Sequence, residues 1–358
     1  MPHACKPWFG ALLVLLAAMS LPASAVATQP ERIVAIGDLH GDHEAWRALA
    51  GAARLIDTKG RWTGGKTVLV QTGDIADRGP DSLKIIRDLM RLEREARRSG
   101  GRVVVLVGNH EAMMLTGDLR YVHPGEYAAF ADERSSDRRD DFYDANRAAI
   151  DAFYKKKDPS LTPDAVRARW IADTPLGKLE HQAAWHTSGE LGRWIVDRPA
   201  VARIGDTLFV HGGLGPAYAA IPIDEINRRV RAALSAREMA PSSIINDPAG
   251  PLWYRGLAGM TAQPDAASDS AAASPAPPPT VDQQLDQILA ATGARRIAIG
   301  HTPLTSGVAV THGGKLVRLD SGNSRAYGGM PGYVEITAAG AVAHNVPRPP
   351  PESGGEAS

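Results

Sequence analysis

The chain has 358 residues, and its 40 Lys and Arg are balanced by 40 Asp and Glu, for a formal net charge of zero with histidine neutral. That balance supplies no bulk field to attract nucleic acid, so a nucleic-acid role is set aside. The single cysteine, Cys5, lies in an N-terminal stretch that reads as removable, which excludes disulfides, thiolate metal ligands and a cysteine nucleophile from the mature chain.

That first stretch has the make-up of a secretory signal. Lys6 carries the positive charge, Ala11 to Met19 form the apolar segment, and Ala23-Ser24-Ala25 offers a small-residue cleavage site. Cleavage near Ala25 and a secreted or periplasmic location are expected. The apolar run falls short of the roughly 20 residues needed to cross a bilayer, so no stable membrane insertion of the mature form is expected. Residues 26–346 then read as one large domain.

In chain order, Arg32 to Ile36 predicts a strand that ends at Gly37-Asp38-Leu39-His40-Gly41-Asp42. Ala45, Trp46, Leu49, Ala52, Ala53 and Ile56 recur at helical spacing. Thr67 to Gln71 is the next strand, feeding Gly73-Asp74-Ile75-Ala76-Asp77-Arg78-Gly79. Pro80 suits a first helical position, with Leu83, Ile86, Leu89, Met90 and Leu92 as the apolar stripe. Val103 to Val107 forms a third strand before Gly108-Asn109-His110-Glu111. This alternation predicts a largely parallel, buried sheet, and in such sheets ligands collect at the carboxyl ends of strands, where all three motifs fall.

From Leu115 to Trp194 the pattern is helical and carries no motif-bearing strand, so residues 115–194 read as an inserted cap. The charged run Asp132 to Asp144 is a solvated helical face. β-prone runs return at Val201 to Val210, Arg296 to Ile299, Val308 to Thr311, Lys315 to Leu319 and Gly332 to Thr337. These have a more antiparallel character, with Gly313-Gly314 as a hairpin turn. Residues 263–280, rich in Ala, Ser and Pro, and the tail 347–358 are expected to be disordered.

Five strand-end motifs, completed by His211-Gly212-Gly213 and Gly300-His301-Thr302, supply carboxylate, amide and imidazole donors suited to hard or borderline divalent ions. Asp38 and His40 stand close enough in sequence to reach one ion. Asp74 has two oxygens with which to bridge two ions, and Asn109, His211 and His301 are available for the second. Two such ions activate water and neutralise phosphate oxygens. His110 is placed to protonate a leaving group, Asp77 to hold its imidazole, and Arg78 and Arg255 to grip phosphate through planar guanidinium forks. Isolated Gly-Asp, His-Gly-Gly or Gly-His-Thr sequences are ordinary turns; the second and third motifs carry the specificity. His43, His123, His181, His186, His312 and His344 read as surface or structural. Asp320, in Leu319-Asp320-Ser321-Gly322, reads as a turn cap with a site role as the alternative.

The Asp-Arg-Gly ending of the second motif, together with Gly-Asn-His-Glu, resembles the calcineurin-like metallophosphoesterases, and within them the phosphoprotein phosphatases. The resemblance spans Ile33 to Gly322. It implies an α/β fold: a four-layer α/β/β/α sandwich of two mixed sheets with a dinuclear centre between them. It also implies that Asp38 and His40 bind the first metal, that Asp74 bridges, and that Asn109, His211 and His301 bind the second. His110 with Asp77 is then the acid and Arg78 a phosphate clamp. Leu252-Trp253-Tyr254-Arg255-Gly256 resembles the segment carrying a second phosphate-binding arginine, Arg255. The cofactors implied are two divalent ions, manganese, iron or zinc, with manganese favoured.

Val107 stands where the eukaryotic core enzymes have Arg, Asp42 replaces their usual Gln, and Leu319-Asp320-Ser321-Gly322 occupies the region of their Ser-Ala-Pro-Asn-Tyr-type segment. Gly117 to Val122 is similar to the bacterial-type Shewanella-like phosphatases. The expected activity is phosphomonoester hydrolysis on a phosphorylated protein or small phosphoester. The alternatives are a bis-nucleoside polyphosphate or nucleotide hydrolase and a non-catalytic protein that binds phosphorylated partners. Tyr121, Trp253 and Tyr254 are candidate pocket walls.

Overall fold

A computed structural model describes residues 1, 29–260 and 279–348. The expected signal segment, nearly all of the stretch expected to be disordered at 263–280, and the tail beyond residue 348 lie outside the described residues.

The first part alternates as expected: β1 (Ile33–Ile36), α1 (His43–Ala52), β2 (Val68–Gln71), α2 (Ser82–Arg98) and β3 (Arg102–Val105). Six helices follow in succession: α3 (Asn109–Thr116), α4 (Pro124–Ala128), α5 (Ser135–Lys157), α6 (Pro163–Asp173), α7 (Lys178–Trp185) and α8 (Glu190–Val196). Then come β4 (Val201–Ile204), β5 (Thr207–Val210), α9 (Pro216–Ala219), α10 (Ile223–Ala236), α11 (Val281–Thr292), β6 (Arg296–Ile299), β7 (Ala309–Thr311), β8 (Leu316–Arg318), β9 (Gly332–Thr337) and β10 (Gly340–Asn345).

The strands form two five-stranded mixed sheets, ordered β10-β9-β1-β2-β3 and β4-β5-β6-β8-β7. The period of two along each strand assigns the faces. Ile33, Ala35, Val68 and Val70 join Phe209, Ala298, Val317, Val334 and Ile336 in the cluster between the sheets. The alternate residues Val34, Ile36 and Leu69 join the apolar stripes of the helices in the outer core. Strands covered on both faces need continuous apolar runs, and these have them. The layers are therefore α/β/β/α, as the resemblance implied.

Several expectations are corrected in detail. The second sheet is not chiefly antiparallel: β6 lies parallel to both β5 and β8, because α11 carries the chain back across the sheet before β6. The Val201–Val210 run breaks into the β4–β5 hairpin at Gly205, whose φ of 59° turns the chain. Helix α2 starts at Ser82 rather than Pro80, and Ile85, not the half-buried Met90, completes its buried stripe. Strand β10, antiparallel to β9, was not foreseen. Thr280, expected to end a disordered stretch, instead caps α11 by accepting from the Gln283 amide. Gly313-Gly314 does turn β7 into the antiparallel β8.

Candidate metal centre

Every motif leaves the carboxyl end of a strand: β1 runs into Asp38, β2 into Asp74, β3 into Asn109, β5 into His211 and β6 into His301. The turns that follow are conformationally costly. His40, Asp74, Asp77, Arg78 and His301 all have positive φ, between 43° and 71°, where a side chain costs roughly 1–2 kcal/mol per residue. Buried hydrogen bonds hold them there. Glu111, in the first turn of α3, accepts from the amides of Gly108, Asp74, Ile75 and Ala76 at 2.8–3.1 Å. The Asp74 carbonyl in turn accepts from the amides of Leu39 and His40. One buried carboxylate thus fixes the second and third motifs, and through Asp74 the first. Its role was not foreseen, although its place in Gly-Asn-His-Glu was the available signal.

Asp74 is the hub. Its Oδ2 lies 3.3 Å from His211 Nε2, 3.7 Å from His40 Nε2 and 3.8 Å from His110 Nε2. His40 Nε2 is also 3.9 Å from Asp38 Oδ2. Asn109 Oδ1 meets His211 Nε2 at 2.9 Å, and the His301 amide donates to Asp38. The His211 and His301 rings are 5.1 Å apart. All six expected metal donors therefore converge, and each is buried. Gly300 and Gly108 permit this, because a Cβ on either would overlap a carboxylate oxygen of Asp38 or Asp74 respectively.

The electrostatics fit cations. Burial pushes Asp38 well above the usual carboxylate range, and the negative charges of Asp320 and Asp74 push it further. Asp320 rises to about 6, again chiefly through burial, with Asp74 adding to it. Burial takes His40 down to about 3 and holds His301 well below its ordinary value. Both imidazoles are thus neutral, the form that coordinates metal. His301 Nε2 is buried with no hydrogen-bond partner, while the other ring nitrogens of His40 and His211 meet the carbonyls of Ala76 and Thr72. Crowded carboxylates, imidazoles held by backbone carbonyls and an orphaned ring nitrogen together suit divalent ions.

Two donor groups sharing Asp74 emerge among the described residues: His40–Asp74–His110 and Asp74–His211–His301, each with donor atoms within 4.8 Å of one another. The first includes His110, read from the sequence as an acid, and omits Asp38. His110 Nδ1 is bound to Asp77 at 2.6 Å, leaving Nε2 toward Asp74. Burial lowers the pKa of His110, but the Asp74 charge and the Asp77 hydrogen bond outweigh it and the net shift is upward.

Arg78 lies over Tyr121, its guanidinium carbon 3.9 Å from the ring centre, and is 5.8 Å from the Tyr327 ring centre. These rings also line the site, Tyr121 against His110 and Tyr327 against His40. Arg255 donates to the His301 carbonyl at 3.0 Å. Tyr327 was missed, since it follows no strand. Trp253 packs edge-on against His301, and Tyr254 turns its hydroxyl to Gln284. Asp320 fills both roles left open for it, accepting from the Gly322 amide and charging the surroundings of Asp38. His43 pairs with Asp88, His123 caps α4, and His181 is enclosed by Tyr127 and Phe130; none joins the centre.

Residues 31–328 match the family model described as calcineurin-like phosphoesterase. The chain belongs to this family. Its members are metal-dependent hydrolases of phosphoesters, so the chain is an enzyme of that class. It is 33% identical over 317 residues to Shewanella-like protein phosphatase 2 of Arabidopsis thaliana, covering 86% of this chain and 75% of that one. This agrees with the resemblance read at Gly117 to Val122. The cold-active protein-tyrosine phosphatase of a psychrophilic Shewanella species shares the fold, with a TM-score of 0.60 at 24% identity over 88% of this chain and 80% of that one. A symmetrical bis(5'-nucleosyl)-tetraphosphatase of Photorhabdus laumondii is 32% identical over 129 residues, covering 36% of this chain and 38% of its own. No helix among the described residues is long and apolar enough to cross a membrane.

Proposed function

We propose that the chain is a dinuclear-metal phosphomonoesterase acting on phosphorylated protein. The observation that carries this is the placing of a buried His110–Asp77 pair against the shared Asp74 carboxylate, with Arg78 by the Tyr121 ring that meets His110 and Arg255 bound to the His301 carbonyl. Asp38, His40 and Asp74 would hold one ion, and Asp74, Asn109, His211 and His301 the other. Bound there, the ions supply an acidified water as nucleophile and positive charge against the phosphate oxygens. The protein's own groups do the rest. Arg78 and Arg255 orient the phosphate through their forks. Asp77 fixes the Nδ1–H of His110, leaving Nε2 to pass a proton to the departing oxygen. Manganese is the favoured metal.

Phosphoprotein is preferred over dinucleotide because similarity to a protein phosphatase runs over most of the chain, whereas similarity to the tetraphosphatase covers about a third. The test is turnover by manganese-loaded protein on an aryl phosphate, then on phosphopeptides against a dinucleoside tetraphosphate. Hydrolysis lost on Asp74→Asn supports the proposal. Activity unchanged in that variant would sink it, preference for the dinucleotide would replace the substrate class, and binding without turnover would favour the non-catalytic reading. Export is part of the same proposal. A periplasmic or secreted mature chain beginning near Val26 on N-terminal sequencing supports it, and an intact N-terminus in the cytosol would overturn it.

A further inference from the structure

The segment Asp320–Gly329 carries no metal donor in the proposed function, yet it holds the first motif from the far end of the chain. Asn323 Nδ2 donates to the Asp38 carbonyl at 2.9 Å, and Ser324 Oγ to the His40 carbonyl at 3.3 Å. The Arg325 amide donates to Asp42 Oδ2 at 2.8 Å, and Tyr327 lies on the His40 ring. Asp42 is thus shared between two tasks, since its Oδ1 also caps α1 at the Ala45 amide.

Behind this segment sits Arg348. Strand β10 and a hydrogen bond from the Val346 amide to the Pro331 carbonyl bring it there. Its guanidinium donates to the carbonyls of Asn323, Gly322, Ser324 and Gly329, at 2.7–3.4 Å, and its Nη1 lies 3.5 Å from Asp42 Oδ2. Residues 347–348, expected to open a disordered tail, are therefore tied into the fold. A planar fork with five donors can serve several carbonyls at once, whereas a lysine is a point charge. Asp42 places its carboxylate against both Arg348 and Arg325.

We propose that Arg348 is a positioning residue for the first-motif ligands: it clamps the Asp320–Gly329 loop, whose Asn323 and Ser324 fix the backbone of Asp38 and His40. This rests on the two-metal reading, in which those residues hold the first ion. Groups that orient metal ligands typically cost about 10–100-fold in affinity when removed.

The test uses the full-length protein, stripped with chelator and titrated with manganese by calorimetry, alongside hydrogen exchange. For Arg348→Gln we expect one of two ions to bind about 10–100-fold more weakly, the other to bind unchanged, and exchange to quicken in residues 37–42 and 320–329 but not in 207–213. Arg348→Lys should fall between, and it serves as the test if the glutamine variant does not fold. Two ions bound as in wild type, or uniform loosening of all three segments, would overturn the inference. A wild-type chain that bound no ion would overturn the two-metal reading instead, and the exchange comparison would still decide whether Arg348 holds residues 37–42.

Discussion

His110 is the residue on which sequence and geometry give different emphasis. Its Nε2 lies among the donors around Asp74, while its Nδ1 is bound to Asp77. A carboxylate behind an imidazole serves an acid and a metal ligand equally well, so the hydrogen bond alone does not choose. Leaving-group dependence does. If His110 donates the proton, His110→Asn should lower kcat by about 10²–10⁴-fold on an alkyl phosphate. The loss should be much smaller on a nitrophenyl phosphate, whose leaving group needs no proton, with metal content unchanged. Equal losses on both substrates, together with a missing ion, would make it a ligand. Asp77→Asn should follow the same pattern more weakly, because the imidazole stays in place but loses the charge that holds its proton.

At the scale of elements, Glu111 on α3 and Asp88 on α2 are polar groups that hold structure together. Glu111→Gln replaces a carboxylate accepting from four buried amides with a group that can accept through one oxygen only. Leaving buried donors unpaired costs about 1–3 kcal/mol each, so urea unfolding should show a loss of about 3 kcal/mol or more. Asp88 joins the first two helices, taking hydrogen bonds from His43 and Trp46 of α1 and from Arg91. Burial raises its pKa, but these three partners outweigh that and bring it down to about 2. Since the folded pKa is depressed, the stabilisation is present above the unfolded value and is lost as pH falls through the folded one. Asp88→Asn should therefore cost up to about 2 kcal/mol at neutral pH, the difference from wild type shrinking between about pH 4 and pH 2.

What was legible in the sequence follows from the range of the interactions. Strands β1 and β2 show as apolar runs, since burial on both faces leaves little other composition, β3 shows as a valine run at the sheet edge, and the strand-end motifs follow them. The β4–β5 hairpin was hidden because Gly205 and Asp206 interrupt one apolar run for two residues only. The direction of β6 depends on the crossover through α11, which no local pattern records. Tyr327 and Asp320 reach the centre through residues nearly 300 positions away, and Arg348 acts on it through the loop at 320–329 and Asp42. Their neighbours in sequence gave no reason to single out Tyr327 or Arg348.

At the scale of the whole molecule, the centre joins the two sheets. Asp38, His40, Asp74 and Asn109 leave the first sheet, while His211 and His301 leave the second. Without cations, Asp38, Asp74 and Asp320 repel one another across this junction. Removing the metal should therefore destabilise the fold as well as abolish activity. At a free manganese concentration a hundredfold above its dissociation constant, the stabilisation is about 2.7 kcal/mol, or a rise of about 4 °C in Tm for a domain of this size. The size of that rise should depend on pH. Asp320, raised to about 6 by burial and by Asp74, belongs to the class whose contribution is fully present below the unfolded pKa and lost as pH rises through the folded one. The chelated protein should thus lose stability as pH climbs through about 6. His40 and His301, held neutral by burial, do not compete for protons in that range. For His211, burial lowers the pKa but the Asp74 charge outweighs it and the net shift is upward, so it adds to the proton competition. Differential scanning calorimetry with and without chelator should accordingly give a small metal-dependent shift at about pH 5 and a large one at about pH 7.5. Replacing Asp320 by Asn should flatten that difference. A shift independent of pH, or one that survives Asp74→Asn unchanged, would mean that the carboxylates at the sheet junction are not what the metal stabilises.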